Sequence, residues 1–198
     1  MKLIALTGLH GAGKDTVSDA LPARKLAFAD VLYREVAEAF GVTVEWLSDR
    51  RFKEVIQWEM RLDAGKNEEF LGYLRWSGKV WMGSEDDGQH PRSPRQILQW
   101  WGDYRRAQDP EYFVAQMIFA IKSEESNAVV TDVRFDNEAK IIRALGGQIW
   151  QVVRPGHEPP RTGHASETTG DEFAPDRVLV NDGSLEQLAE KARAAWAS

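Results

Sequence analysis

The sequence predicts an α/β fold: a parallel sheet of about five strands with helices on both faces, plus a helical substrate-binding insertion. Three observations predict it. Short apolar runs alternate with amphipathic helical stretches, the pattern of a parallel sheet. The first run ends in a glycine-rich turn that opens a helix. Between residues 42 and 91 the alternation stops, and charged and aromatic residues take over.

The elements follow in order. Residues 2–7 read as a buried strand, and a helix from Lys14 stops at Pro22, which cannot continue it. A second strand is expected at 25–29. Asp30 then caps a helix whose Leu32, Val36, Ala39 and Phe40 share one face, and Gly41 ends it. The stretch 42–91 carries Trp46, Trp58, Phe70, Tyr73, Trp76 and Trp81, with 83–91 as an exposed loop. Together with the next helix it makes an insertion, 42–109, within a single domain of 1–198.

Ser93-Pro94-Arg95-Gln96 has the signs of a helix start: a capping serine, proline at the first helical position and a glutamine to close a capping box. Asp109-Pro110-Glu111 repeats the logic, and Val114, Met117, Ile118 and Ile121 form an apolar face. A strand is expected at 128–133, a helix from Asp136 or Asn137 to Gly146-Gly147, and strands at 148–153 and 177–180. Residues 154–175 form a polar loop. Ser184 and Gln187 box the last helix, with Leu185, Leu188, Ala189, Ala192 and Trp196 facing inward.

Composition narrows the chemistry. The chain has 198 residues, enough for one α/β domain with a sizeable core. It has no cysteine, which excludes disulfides, thiolate nucleophiles and Cys-based zinc sites and suits a reducing cytoplasm. No apolar run reaches the length of a membrane helix, and the start is too short in apolar residues for a signal peptide. Acidic residues number 31 against 25 basic ones, a net charge of -6, so no bulk nucleic-acid binding is expected. The 8 tryptophans read as packing rather than base stacking.

The strongest motif is Gly8-Leu9-His10-Gly11-Ala12-Gly13-Lys14, which fits G-x-x-x-x-G-K between a strand and a helix. Glycines let backbone N–H groups turn around a phosphate, the helix N-terminus adds partial positive charge, and Lys14 supplies a full one. Asp15 follows where Ser or Thr commonly stands, and Thr16 comes next. Asp15 and Thr16 are therefore both candidates for the Mg²⁺ side of the site. Asp132, at the end of an apolar strand, stands where an Asp that orients hydrated Mg²⁺ belongs. Arg134 is two residues on, where a guanidinium offsets charge on a transferring phosphoryl group. The expected fold is then a P-loop kinase fold, with Lys14, Asp132 and Arg134 catalytic. Arg95 and Arg154 are weaker anion-binding candidates. His10 reads as a variable loop side chain, and His157 and His164 are too sparse for a metal site.

With these residues assembled, the chain resembles the phage-type deoxynucleoside monophosphate kinases, nearly end to end. The resemblance rests on Gly8 to Thr16, Phe28-Ala29-Asp30, Ser93-Pro94-Arg95-Gln96 through Trp100, and Asp109-Pro110-Glu111-Tyr112. It continues with Thr131-Asp132-Val133-Arg134-Phe135 through Glu138, His164-Ala165-Ser166-Glu167 and Asn181-Asp182-Gly183-Ser184. Residues 57–89 are its least family-like part.

The resemblance implies ATP as donor, Mg²⁺ as cofactor and a deoxynucleoside monophosphate as acceptor. ATP would meet Gly8, His10, Gly11, Ala12, Gly13 and Lys14, together with Asp15, Thr16 and Asn181. The acceptor would meet Asp30, Arg34, Arg95, Gln99, Arg134 and Arg154; metal would fall to Asp15, Thr16 and Asp132. Residues 154–175 take the place of a short lid. Where the family often has Lys after Phe-Ala-Asp, this chain has Tyr33 and Arg34. Partners would be small nucleotides, with no membrane, a homodimer left open, and a cytoplasmic setting, the host's if phage-encoded. The alternatives are a dephospho-coenzyme A kinase, a kinase of modified bases in DNA, and a non-catalytic nucleotide-binding module.

Overall fold

The run Leu3–Thr7 is buried along its whole length, as a strand covered on both faces must be, and forms β1. The computed structural model describes residues 1–80, 88–157 and 173–198. After β1 come α1 (Lys14–Ala20), β2 (Arg24–Leu26), α2 (Ala29–Phe40) and α3 (Val44–Ser48). Then follow α4 (Glu68–Trp76), α5 (Pro94–Gln108), α6 (Tyr112–Lys122), β3 (Ala128–Val130) and α7 (Asp136–Ala144). The chain ends with β4 (Gln148–Val153), β5 (Arg177–Val180) and α8 (Leu185–Ala197). No described helix is long and apolar enough to cross a membrane.

The expected parallel five-stranded sheet is present, in the order β2-β3-β1-β4-β5 with every pairing parallel. Strand alternation sends Ile4 and Leu6 to one face, where they pack with Val17 of α1 and Leu188 and Ala192 of α8. Leu3 faces the other way: a methyl built at Gly147 would come within 2.8 Å of both Leu3 and Ile142 of α7. Helices therefore cover both faces.

The chain divides into two units, Met1–Phe28 with Val114–Ser198, and Ala29–Phe113. The first holds the sheet. The second is helical and includes residues 42–109 together with α2. Its core is Val36 and Phe40 of α2, Leu47 of α3, Phe70 and Leu74 of α4, and Ile97, Trp101 and Tyr104 of α5. Phe70 packs on Trp101 at 4.7 Å between ring centres, at the separation aromatic pairs prefer.

The Glu35 carboxylate joins three elements of the second unit. It accepts hydrogen bonds from Trp101 Nε1 at 2.7 Å, Arg105 Nε at 2.9 Å and the Tyr112 hydroxyl. Burial alone would raise its pKa, but bonds from Arg105, Tyr112 and Trp101 outweigh that and hold it below the usual range.

Several expectations are corrected. The second strand is Arg24–Leu26, not 25–29, and β3 stops at Val130, not 133. Just past both strand ends a side chain takes the place of a ladder partner: Asp132 Oδ1 accepts from the backbone N–H of Phe28 at 2.8 Å. Asp30 lies inside the first turn of α2 rather than capping it. At α5 the Ser93 hydroxyl accepts from Gln96 N at 3.2 Å, but the Gln96 side chain makes no return bond. Asp109 accepts from Glu111 N, and the helix begins at Tyr112.

In α8, Leu185 is 64% exposed, whereas Leu188, Ala189 and Ala192 are buried as expected and Trp196 is partly buried. Of the tryptophans, Trp101 and Trp150 are core residues; Trp58 and Trp76 are exposed, against the packing expectation. Trp81 and most of the 83–91 loop lie outside the described residues, as do Arg161, His164 to Glu167 and most of the 154–175 loop.

Candidate active site

The loop between β1 and α1 is built on glycine. Gly8, Gly11 and Gly13 have φ of 131°, 77° and 112°, a region closed to most side chains. Space excludes side chains as well. A methyl at Gly8 would overlap the Val152 carbonyl oxygen of β4, and one at Gly13 would lie 2.7 Å from Leu188 and 2.9 Å from Asn181. The glycines are thus required by the fold as much as by any ligand.

Lys14 lies part-buried in this loop. Its ammonium donates to Gly8 O at 2.7 Å and Leu9 O at 3.0 Å. Burial and the Arg134 guanidinium press its pKa down to about 8, against the opposing pull of Asp15 and Asp132. Three of the other predicted residues, Asp15, Asp132 and Arg134, are thereby within electrostatic reach of Lys14. A part-buried ammonium held by neutral carbonyls gains from an incoming polyanion.

Asp132 has a second task, since its bond to Phe28 N ties the end of β3 to the end of β2. Arg134 is exposed, but its backbone is fixed. The Glu138 carboxylate, 2% exposed as a residue, accepts from Arg134 N at 2.8 Å and Phe135 N at 3.1 Å. Glu138 had a readable signal: it is the third residue of α7, where a carboxylate reaches back to cap. No group of three or more acidic, His or Cys side chains that could hold a metal alone occurs among the described residues.

Asn181, expected beside the donor base, is buried at 7% and donates to Ala12 O at 2.9 Å. Its amide supports the loop. His10 is exposed, and its carbonyl is met by His157. Arg154 is exposed just past β4.

The other predicted acceptor residues belong to the second unit. Asp30 and Arg34 are exposed one turn apart on α2, with Arg34 Nε donating to Asp30 O at 3.4 Å. Arg95 and Gln99 are partly exposed one turn apart at the start of α5. Arg95 is ion-paired with Glu54, and its N–H bonds Lys53 O at 2.9 Å, so its guanidinium is held before any ligand arrives.

Comparison with known proteins adds to this geometry. The family model for deoxynucleotide monophosphate kinase matches residues 104–192. The deoxynucleoside-5'-monophosphate kinase of Escherichia phage T5 is 30% identical over 182 aligned positions, covering 71% of each chain. The deoxynucleotide monophosphate kinase of Enterobacteria phage T4 is 41% identical over 63 residues, 32% of this chain and 26% of that one. A solved dephospho-CoA kinase from Campylobacter jejuni superposes with a TM-score of 0.48 at 11% identity, covering 99% of this chain and 96% of that one. So distant a match carries no argument.

Proposed function

Because the chain belongs to the deoxynucleotide monophosphate kinases, we propose that it transfers the γ-phosphoryl group of ATP to a deoxynucleoside 5'-monophosphate. The observation that carries this reading is Lys14, a part-buried ammonium whose hydrogen bonds among the described residues go to two loop carbonyls, within a glycine cradle and near Arg134.

A phosphate oxygen of the acceptor attacks the γ-phosphorus, the bond to the β–γ bridging oxygen breaks, and the products are ADP and a deoxynucleoside diphosphate. Such a transfer asks little covalent chemistry of the protein, so charge and positioning dominate. Lys14 leaves its carbonyl partners for the donor's phosphates, where the amides of Gly8, Gly11, Ala12 and Gly13 also face anionic oxygen. His10 and Asn181 complete the donor side. Arg134, whose backbone Glu138 fixes, spreads a guanidinium over the developing charge.

The site fits Mg²⁺: Asp15, Thr16 and Asp132 offer the hard oxygens it takes, and with no protein cage among the described residues the ion would keep water and phosphate ligands. Bound there, Mg²⁺ would neutralise phosphate charge. Asp30, Arg34, Arg95, Gln99, Arg134 and Arg154 are assigned to the acceptor, with Arg95 on its phosphate, because a guanidinium fork matches phosphate geometry.

The test is to incubate the protein with ATP, Mg²⁺ and each monophosphate separately, with dephospho-CoA as a control, and resolve the products by chromatography. Conversion of one or more deoxynucleoside monophosphates to diphosphates is expected. ATP binding with no acceptor consumed would favour a binding module instead.

A further inference from the structure

The phosphate loop has four carbonyls held by side chains. Lys14 takes Gly8 O and Leu9 O, Asn181 takes Ala12 O, and the His157 ring takes His10 O, with Nε2 2.8 Å away. A carbonyl can only accept, so the ring carries its proton on Nε2. The ring also fills the space beside Gly11: a methyl there would lie 2.8 Å from Nε2 and 3.3 Å from Cε1. His157 is itself anchored just past β4, where its N–H bonds Arg154 O at 3.2 Å.

A trans peptide is planar, with its C=O and N–H on opposite sides. Whatever holds the His10 carbonyl toward His157 therefore turns the Gly11 N–H the other way. Gly11, at φ 77°, has no side chain to resist a peptide flip that would withdraw this amide. Once Lys14 moves to a phosphate, its two carbonyl bonds are lost, leaving, among the described residues, Asn181 and His157 as the side chains that hold loop carbonyls.

We propose that His157 is a positioning residue of the phosphate loop, setting the 10–11 peptide so that the Gly11 N–H is offered to the donor's phosphates. The inference rests on the reading of this loop as the ATP phosphate site. It acts on binding common to ground and transition states, so it moves ATP affinity more than turnover at saturation.

The experiment compares wild type with His157→Ala and His157→Gln. It measures calorimetric binding of ATP, inorganic tripolyphosphate and adenosine, the ATP KM and kcat, and the thermal midpoint. Loss of one hydrogen bond predicts a roughly five- to tenfold weaker binding of ATP and tripolyphosphate in His157→Ala. Adenosine binding, kcat and the midpoint should hold, and His157→Gln, which keeps a donor, should recover most of the loss. Unchanged phosphate affinity in His157→Ala would overturn the proposal. So would a loss that tracks a fallen midpoint and is not recovered by Gln. A wild type that binds neither ATP nor tripolyphosphate would overturn the loop reading itself, a result distinct from either.

Discussion

In the sheet unit, the loop between β1 and α1 takes its shape from what is missing: three glycines without side chains, pressed against β4, His157, Asn181 and Leu188. In the unit Ala29–Phe113, the corresponding centre is Glu35, whose carboxylate gathers Trp101, Arg105 and Tyr112 into one hydrogen-bonded group. The loop is a backbone device, made by steric exclusion. The Glu35 group is a side-chain device, made by charge. The first has no room for added atoms; the second tolerates neither loss of charge nor loss of a partner.

Lys14→Ala puts the sharpest strain on this contrast, because it removes charge from the loop and leaves its backbone intact. Turnover should fall about 10²–10³-fold, while the thermal midpoint stays near wild type. Near-normal turnover would move the donor site away from the loop.

Glu35→Ala is the counterpart, and should cost about 2–4 kcal/mol in denaturant unfolding by leaving Arg105, Trp101 and Tyr112 without their acceptor. The sign of its pH dependence follows from a lowered pKa. The stabilisation is fully present above the ordinary glutamate range and is lost as pH falls through the lower folded value. Glu35→Gln should therefore flatten the acid side of the stability curve, and an unchanged acid slope would show that Glu35 is not its source.

Asp132→Asn separates charge from shape within the sheet unit. An amide oxygen can still accept from Phe28 N, so folding should hold. The Mg²⁺ concentration needed for half-maximal activity should rise by about tenfold or more. A superimposable magnesium titration would leave Asp132 as a tie between strands.

The smallest effect is expected at Arg95→Ala. Its ion pair is with Glu54, 59% exposed in its side chain, so stability should change by less than about 1 kcal/mol. The KM for the monophosphate should rise roughly tenfold while the ATP KM stays put. Equal shifts in both would remove Arg95 from the acceptor side.

What the sequence made legible divides along the same line. The glycine-rich turn into the helix at Lys14, β4, β5 and the Ser184–Gln187 box are all local patterns, and each is found where it was expected. Misses came from partners far along the chain. Asp132 bonds Phe28, 104 residues away, just past the ends of β3 and β2, and His157 reaches back 147 residues to His10. Glu35 meets Arg105 across 70 residues. No periodicity records such pairs, because each is created by packing rather than by the repeat of a helix or strand. Leu185 fits the helical period of its neighbours yet stays exposed at the first position of α8.

The central place of β1 has a cost during synthesis. Its two neighbours are β3, beginning opposite Leu3 at Ala128, and β4, with Gln148 opposite Ile4. At about 5–20 residues per second, a ribosome needs roughly 6–25 s to deliver the first of them, β3. For that interval an apolar strand waits with both edges open, the kind of segment that other chains can pair with. The contiguous stretch Ala29–Phe113 is complete before either neighbour emerges. Its aromatic core can therefore close first, and chaperone dependence should concentrate on the sheet unit.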